Sequence, residues 1–380
     1  MTSANERVLN IPGKPADVVV DYRELFLSGR ALLDVRAPVE FAKGAFPNAI
    51  NLPLMSDDER HQVGICYKEK GQQKAIELGA QLVTPDLQAQ RVQSWKDFVQ
   101  ANPEARLYCF RGGLRSRISQ QWLADAGVQI PLVEGGYKAL RTFLIEELQR
   151  LGQALSYTLI GGRTGNGKTL LIKRLGSTVD LEALANHRGS SFGSLPGPQP
   201  SNIDFENALS IELMRLEEAN NQHVYLEDEA RLIGRVCLPD SFREVMQAAP
   251  IYILECDLEQ RITNCFDDYV TDLLARYQED MGDADGFEAY AEFHRGSLGR
   301  IQKRFGGENY KRALMLLNEA LQAHREQANT ELYRPFIQLL LTDYYDPMYD
   351  YQLSNKTSRI KFKGRADDIV QLSLSETAVP

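Results

Sequence analysis

The sequence is poor in cysteine and has no long apolar run. Its five cysteines are scattered along the chain, odd in number and without metal-binding spacing: Cys66, Cys109, Cys237, Cys256 and Cys265. Disulfide frameworks and zinc sites need paired or closely spaced cysteines, so we expect free thiols in a reducing cytoplasm. No apolar run is long enough to span a membrane, and Met1–Arg7 has no apolar signal-peptide core. We therefore expect a cytoplasmic protein without a membrane segment.

Length and charge bound the class of protein. A chain of 380 residues is too long for one ordinary domain, so two or three are expected. Its 43% hydrophobic and 25% charged residues are typical of a globular protein. The net charge of −9 disfavours a general nucleic-acid binder. Two basic stretches, 291–325 and 356–365, fit a specifically docked nucleic acid as well as they fit solvated helix faces, and charge alone leaves both interpretations open.

Short apolar runs alternate with helix-like segments through most of the chain. The strand-like runs are 31–35, 106–109, 131–134, 154–160, 222–227 and 251–255. Helical periodicity lies between several of them, which predicts parallel sheets covered by helices. After Leu258 the chain reads as largely helical. We predict an α/β fold with one parallel-sheet domain over 1–145 and a second α/β domain with a helical C-terminal part over 146–380.

One reactive loop follows the strand-like run that ends at Tyr108. It contains Cys109, Arg111, Gly112, Gly113 and Arg115, and a helix-like segment comes next. Backbone N–H groups in a glycine turn and the following helix N-terminus favour negative charge, and the two arginines add fixed positive charge. Such surroundings stabilise a thiolate and would hold an oxyanion beside it. The alternative is a buried, inert cysteine, which two arginines and a Gly-Gly turn disfavour.

A phosphate-binding loop follows the strand-like run 154–160. The segment Gly162-x4-Gly167-Lys168-Thr169 fits the P-loop pattern, and strand, loop and helix stand in the order that the motif requires. The glycines, with Gly165 among them, let backbone N–H groups approach a phosphate. Lys168 would reach the terminal phosphate, and the Thr169 hydroxyl would hold Mg²⁺. The alternative, a chance match in a glycine turn, is disfavoured by this context.

An acidic strand end and two further arginines belong with the P-loop. Residues 222–229 run from apolar to triply acidic, so Asp228 or Glu227 is the expected carboxylate on the Mg²⁺ side and Glu229 a candidate base. Arg163 lies inside the P-loop, and Arg188 lies in a loop rich in glycine and serine. Both guanidinium groups are expected to contact phosphate. The bland alternatives are a solvated turn and an ordinary loop.

The first domain resembles the rhodanese family over about residues 15–145. The matching segments are Leu33–Arg36, Glu40–Phe41, Gly44–Pro53, the Cys109 loop and Val133–Gly136. The resemblance implies a rhodanese-like parallel sheet and a persulfide or perselenide on Cys109. One departure is Ala45, which stands where many rhodaneses have His.

A second departure is the length of the reactive loop. Arg115 lies six residues after Cys109, so the loop also resembles the C-x5-R loop of cysteine-dependent phosphatases. A wider ring of N–H donors suits a phosphate-sized tetrahedral anion. We therefore expect a phosphate-type donor such as selenophosphate or thiophosphate.

The whole chain resembles the tRNA 2-selenouridine synthase family, in which a rhodanese domain is joined to a P-loop domain. Beyond the two loops, the resemblance rests on His187–Gly193, Leu226–Glu229 and Tyr344–Tyr349. It implies a transferase that geranylates the 2-sulfur of wobble 2-thiouridine in tRNA from geranyl diphosphate. Selenium from selenophosphate then replaces the S-geranyl group. It further implies that the P-loop binds geranyl diphosphate. We expect Mg²⁺ on Thr169 and Asp228, and a selenophosphate-producing enzyme as a candidate partner.

Two other functions remain open from the sequence. One is a rhodanese-type sulfurtransferase coupled to an NTP-dependent kinase or NTPase that acts on a small molecule. The other is a phosphate sensor with a P-loop switch and no catalysis. Turnover of ATP without RNA would favour the first, and an unreactive Cys109 would favour the second.

Overall fold

The structure is a computed structural model, and it describes residues 18–377. Residues 1–7, for which we predict no signal peptide, lie outside the described residues. The described chain divides into two compact units. The first runs to Leu148 and also includes Ser201–Arg215; the second comprises Gln149–Pro200 and the chain from Leu216 onward.

The first unit is built on a five-stranded parallel sheet. Its strands are β1 (Val18–Val19), β2 (Leu32–Asp34), β3 (Ala49–Asn51), β4 (Arg106–Tyr108) and β5 (Leu132–Val133), in the spatial order β1-β5-β4-β2-β3. The helices are α1 (Tyr22–Leu27), α2 (Pro38–Phe41), α3 (Asp57–Leu82), α4 (Pro85–Ala101), α5 (Leu114–Asp125) and α6 (Gly136–Ala154). Apolar strand residues such as Leu33 and Leu107 are fully buried against Trp95 and Leu123. All strand pairs are parallel, so the loops after β2, β4 and β5 leave the same edge of the sheet.

A helix from later in the chain completes the first unit. It contains Asp204 and Asn207, and both side chains bond the backbone of Ala45. The Ala45 N–H donates to Asp204 Oδ1 at 2.5 Å, and Asn207 Nδ2 donates to the Ala45 carbonyl at 2.6 Å. The residue that replaces the rhodanese His therefore uses its backbone to bind this helix.

The second unit contains another five-stranded parallel sheet and a small hairpin. The strands are β6 (Ser156–Gly161), β7 (Thr178–Val179), β8 (His223–Glu227), β9 (Leu232–Ile233), β10 (Val236–Cys237), β11 (Ile251–Leu254) and β12 (Ile360–Gly364). The sheet order is β12-β11-β6-β8-β7, and β9 pairs with β10 separately. The central strand β6 leads into the P-loop between buried neighbours on both sides.

Helices make up most of the second unit, as the sequence predicts. The helix that completes the first unit is α9 (Asn202–Glu218). The helices of the second unit are α7 (Lys168–Ile172), α8 (Leu181–Leu184), α10 (Asp240–Ala248), α11 (Leu258–Phe266), α12 (Leu273–Met281), α13 (Asp283–Phe305), α14 (Gly307–Gln327), α15 (Tyr333–Leu340), α16 (Asp346–Ser354) and α17 (Ala366–Thr377). Two π-helical segments, Asp267–Asp272 and Leu341–Tyr345, interrupt the helical part. The predicted α/β fold is confirmed, whereas α9 and α10 were not predicted.

Candidate active site

The Cys109 loop is held by a second glycine turn at the same edge of its sheet. The N–H of Tyr137 donates to the Cys109 carbonyl at 2.8 Å, and the N–H of Lys138 donates to the Phe110 carbonyl at 2.9 Å. Gly112 has φ +62°, and a Cβ there would lie 2.9 Å from the backbone nitrogen of Gly135. Only glycine fits so close an approach in the left-handed region. The loop after β4 and the turn after β5 therefore form one fixed structure.

The Cys109 sulfur is buried and accepts a hydrogen bond. Only 3% of the residue is exposed, and Ser116 Oγ donates to Sγ at 2.7 Å. Gly113 caps α5, so the first turn of this helix lies directly after the loop. The Ser116 hydroxyl and the first turn of α5 therefore lie directly beside the sulfur.

The two arginines of the loop have different partners. Arg115 forms a two-pronged ion pair with Glu40, with Nη1 to Oε2 at 2.5 Å and Nη2 to Oε1 at 3.1 Å. Arg60 also contacts Glu40, at 3.2 Å. Burial alone would raise the pKa of Glu40, but its bonds to Arg115 lower that pKa overall. Arg111 instead lies over the ring of Phe110, with 5.9 Å between its guanidinium carbon and the ring centroid.

The P-loop has the backbone that its glycines predict. Gly165 has φ +81°, and a Cβ there would lie 2.7 Å from the Arg261 carbonyl oxygen and 2.8 Å from Cys265 Sγ. Gly167 is also left-handed and precedes Lys168, the first residue of α7. Lys168 Nζ donates to the Gly162 carbonyl at 3.3 Å, so its ammonium group curls back over the loop.

Side chains of α11 hold the P-loop from behind. Arg261 Nε donates to the Thr164 carbonyl at 3.0 Å, and Asn264 Nδ2 donates to the Gly165 carbonyl at 2.7 Å. Arg261 is 3% exposed and forms a two-pronged pair with Asp346, at 3.0 and 2.6 Å. These bonds hold the backbone of the loop in place.

Arg163 and Arg188, which were predicted to contact phosphate, are both paired with carboxylates. Arg163 Nη2 contacts both Asp350 oxygens, at 2.7 and 2.8 Å, from the exposed side of the P-loop. Arg188 contacts the Asp268 carboxylate at 3.0 Å and also pairs with Asp272. Both acids on Arg188 belong to the first π-helical segment, a backbone irregularity that often occurs at functional sites.

The three acidic residues at the end of β8, Glu227 to Glu229, have three different environments. Glu227 is fully buried, and its Oε2 accepts from the Leu181 N–H at 2.8 Å. Asp228 accepts from Lys356 Nζ with both oxygens, at 2.8 and 2.7 Å. Lys356 belongs to a predicted basic stretch, and its charge is neutralised here by Asp228. Within residues 18–377, no three His, Cys, Asp or Glu side chains are arranged to hold a metal ion.

Glu229 faces Glu182 across Gly189. A Cβ on Gly189 would lie 3.0 Å from Glu229 Oε1 and closer still to Glu182 Oε1. Burial, and next the negative charge of Glu229, raise the pKa of Glu182 to about 8. Burial also raises the pKa of Glu229, against the opposing effect of Lys168. The pair therefore keeps a proton near neutral pH beside the P-loop lysine.

A cleft of about 410 Å³ joins these features in the second unit. Its wall includes Gly165, Gly167, Lys168, Thr169, Glu182, Arg188, Gly189 and Glu229. An adjoining cavity of about 170 Å³ is lined by Gly162 and Lys168 and by Asp228, Tyr349 and Lys356. The P-loop residues, Arg188 and the acidic strand end thus lie together, as the sequence predicts for one phosphate site.

Several residues of both sites escaped sequence reasoning. Glu40, Glu182, Arg261, Asp346 and Lys356 were given no part in either site, because each reaches its partner only through folding. Ser116 stands directly after Arg115, so its position beside the thiol had a signal in the sequence.

Of the helices described between residues 18 and 377, none has the length and apolar composition of a membrane-spanning segment.

The folds and sites together define a class of protein in which a rhodanese-like domain with a thiol loop is joined to a P-loop domain. Residues 19–142 match the rhodanese-like domain family, and residues 155–378 match the family described as the tRNA 2-selenouridine synthase AAA domain. The chain belongs to the tRNA 2-selenouridine synthase family.

Curated relatives support this membership over nearly the whole chain. A tRNA 2-selenouridine synthase of Marinobacter nauticus is 50% identical, covering 94% of this chain and 98% of the relative. One of Hahella chejuensis is 52% identical, covering 91% of each chain. One of a Sulfurovum species is 47% identical, covering 92% of this chain and 96% of the relative. The resemblance predicted from the sequence is confirmed.

Proposed function

We propose that this enzyme converts wobble 2-thiouridine of tRNA to 2-selenouridine by two successive transfers. Geranyl diphosphate first alkylates the 2-sulfur, and selenium from selenophosphate then replaces the S-geranyl group. The observation that carries the proposal is that one chain contains two separate glycine-rich loops, one of which presents the thiol of Cys109 while the other is the P-loop at Lys168. Family membership supports the tRNA substrate, because the relatives are tRNA 2-selenouridine synthases.

The P-loop cleft performs the first transfer in this proposal. Loop amides around Gly165 and Gly167 and the Lys168 ammonium bind the diphosphate. The 2-sulfur attacks the first carbon of the geranyl chain, the carbon–oxygen bond breaks, and pyrophosphate leaves with the bonding electrons. The base loses its N3 proton, for which Glu229 is the proposed acceptor, because a carboxylate with a raised pKa is a better base.

The Cys109 loop performs the second transfer. Alkylation is chemically useful because a thiocarbonyl sulfur leaves poorly, whereas an S-alkyl thiolate leaves readily when C2 of the base is attacked. The Cys109 thiolate attacks the phosphorus of selenophosphate, the Se–P bond breaks, and the selenide released displaces the S-geranyl thiolate from C2. Arg111, Arg115 and the amides of Gly112 and Gly113 hold the phosphoryl group on Cys109 until water hydrolyses the S–P bond. The exchange consumes one water and releases geranylthiol and inorganic phosphate, so it needs no oxidant or reductant.

Mg²⁺ is the proposed cofactor of the first transfer. The Thr169 hydroxyl and the Asp228 carboxylate are hard oxygen donors, and Mg²⁺ commonly combines one or two carboxylates with phosphate oxygens and water. When bound, it would neutralise charge on the departing pyrophosphate. Both Asp228 oxygens bind Lys356, so a metal ion at Asp228 would have to displace that ammonium group.

The proposed setting is the cytoplasm, with tRNA as acceptor and a selenophosphate-producing enzyme as supplier. The decisive experiment incubates the full chain with 2-thiouridine tRNA and geranyl diphosphate, with and without selenophosphate, followed by mass spectrometry of the nucleosides. We expect S-geranyl-2-thiouridine without selenophosphate and 2-selenouridine with it. Selenation that proceeds without geranyl diphosphate would refute the two-transfer scheme. ATP turnover without RNA would favour the NTP-coupled sulfurtransferase instead.

A further inference from the structure

An apolar groove of about 240 Å³ lies in the first unit, next to the Cys109 loop. Val63 and Ile76 of α3 form one side, and Leu114, Ile118 and Trp122 of α5 form the other. Leu114 is the first residue of the helix that follows the loop. The groove therefore begins where the reactive loop ends.

A break in α3 opens the groove. Gly71 has φ +81° and ψ 179°, which is not helical, so it divides α3 into two arms. Val63 and Gly79 would be roughly 24 Å apart in a straight helix. A Cβ on Gly79 would instead lie 3.7 Å from Val63 Cγ2, so the two arms fold back against each other. The space between the two arms is bordered by α5 on its other side.

The groove and the thiol share a wall. Cys109 packs in one hydrophobic cluster with Leu54, Trp122 and Ile118, and these three residues also line the groove. Arg115, which ends the reactive loop, is one of the few polar groups in the lining. Tyr67 stands at the groove with 57% of its surface exposed, so apolar surface continues outward.

We propose that this groove holds the ten-carbon geranyl chain of S-geranyl-2-thiouridine while the Cys109 loop delivers selenium, an inference that rests on the proposed function. Selenophosphate, the uracil ring and the tRNA backbone are polar or charged, so the isoprenoid chain is the reactant that gains from apolar burial. With its geranyl group bound in the groove, the modified base has its C2 atom next to the Cys109 loop. Geranylthiol then departs into the groove.

The size of the groove separates it from another apolar cavity. Pockets for drug-sized ligands are about 300–1,000 Å³, and a ten-carbon chain is smaller than such ligands. The apolar cavity behind Thr164 in the second unit measures only about 30 Å³, which is room for about two water molecules. The groove beside the thiol is the better fit for a chain of this length.

The test narrows the groove by mutation and varies the alkyl group on the 2-sulfur of the tRNA. Ile76→Phe is compared with Gln73→Phe, a matched control on the exposed face of the same helical arm. Both full-length variants react with selenophosphate and tRNA carrying either S-geranyl- or S-methyl-2-thiouridine. We expect Ile76→Phe to raise the KM for S-geranyl tRNA at least tenfold, with the S-methyl KM and the geranylation rate unchanged. Gln73→Phe should match the wild type on all three measures.

A second variant works in the opposite direction, so that a folding defect cannot mimic the result. Ile76→Ala enlarges the groove and should raise the preference for S-farnesyl over S-geranyl tRNA. If both Ile76 variants keep the wild-type preference for isoprenoid length, the groove does not bind the geranyl chain. A change in thermal stability or oligomeric state without a change in that preference would mean that another part of the protein or a second copy occupies the groove. Failure of the wild type to selenate S-geranyl tRNA would refute the proposed function itself.

Discussion

Ser116 Oγ donates a hydrogen bond to Cys109 Sγ at 2.7 Å. The donor follows Arg115 directly and lies in the first turn of α5, so one short segment supplies the thiol with a hydroxyl, a guanidinium group and a helix N-terminus. Because the sulfur is buried, these groups, rather than water, form its surroundings.

Removal of that hydroxyl should slow selenium transfer. A hydrogen bond to a charged group contributes about 1.5–3 kcal/mol, so Ser116→Ala should lower the selenation rate by roughly ten- to a hundredfold. Geranylation should be unchanged, since the proposed function places it at the P-loop. Single-turnover selenation of S-geranyl tRNA measures the effect, with Ser119→Ala on the same helix as control. Equal rates in the two variants would remove Ser116 from the mechanism.

Replacement of Glu40 should make the stability of the protein depend on an anion bound to Arg115. Glu40→Gln leaves the guanidinium without its carboxylate, and we expect a loss of about 1.5–3 kcal/mol in the free energy of unfolding. Inorganic phosphate should restore part of the melting temperature in this variant and less in the wild type. Glu24→Gln, which breaks an exposed ion pair with Arg30, is the control. No added protection by phosphate would mean that the loop does not bind it through Arg115.

The same ion pair predicts a pH dependence. The folded pKa of Glu40 is lowered, so the stabilisation is complete above the ordinary carboxyl pKa and disappears as pH falls through the folded value. The difference in melting temperature between wild type and Glu40→Gln should therefore shrink in acid.

Two variants should separate the two transfers. Lys168→Ala removes the ammonium that binds diphosphate in the proposed scheme, and geranylation should fall by roughly a hundredfold or more, the usual effect of losing one electrostatic donor. Selenation of tRNA that is already geranylated should continue. Cys109→Ser should show the reverse pattern, with geranyl tRNA accumulating. Mass spectrometry of nucleosides checks both, and retained selenation in Cys109→Ser would exclude the thiol.

The Glu182–Glu229 pair predicts that stability falls with rising pH. The folded pKa of Glu182 is about 8, so between the ordinary carboxyl pKa and pH 8 the folded state holds a proton that the unfolded state has lost. Stability from this group is therefore greatest in acid and decreases toward pH 8. Glu182→Gln should melt at a higher temperature than the wild type at pH 8, with the difference vanishing near pH 4.5. A constant difference across this range would contradict the shared proton.

Chelation of divalent metal tests the cofactor. EDTA should slow geranylation and leave the selenation of S-geranyl tRNA unchanged, because the Cys109 loop needs no metal in the proposed scheme. Lys356→Ala frees the Asp228 carboxylate and should lower the Mg²⁺ concentration that gives half-maximal geranylation. A lack of any metal dependence would show that Lys168 and the loop amides suffice for the departing pyrophosphate.

Local sequence predicted the two loops well because their chemistry lies in contiguous residues. The glycines around Lys168 and around Cys109 permit only a few backbone paths, and the neighbouring apolar runs can only be buried strands. Helix α9 was missed because it follows a segment rich in proline and glycine, and because its polar residues read as surface. Asp204 and Asn207 instead bond the backbone of Ala45, a partner about 160 positions earlier in the chain.

The sequence by itself determined the reactive groups: a thiol in a seven-residue loop that ends at Arg115, and a P-loop that ends at Thr169. Tertiary structure alone decided their partners. Glu40 reaches Arg115 across 75 positions, and Lys356 reaches Asp228 across 128. The loops that follow parallel strands lie at one edge of the sheet. The partner of a charged side chain there depends on which distant residues the crossover connections place at the same edge. Folding likewise closed α3 at Gly71 and created the apolar groove beside Cys109, which no local pattern indicates.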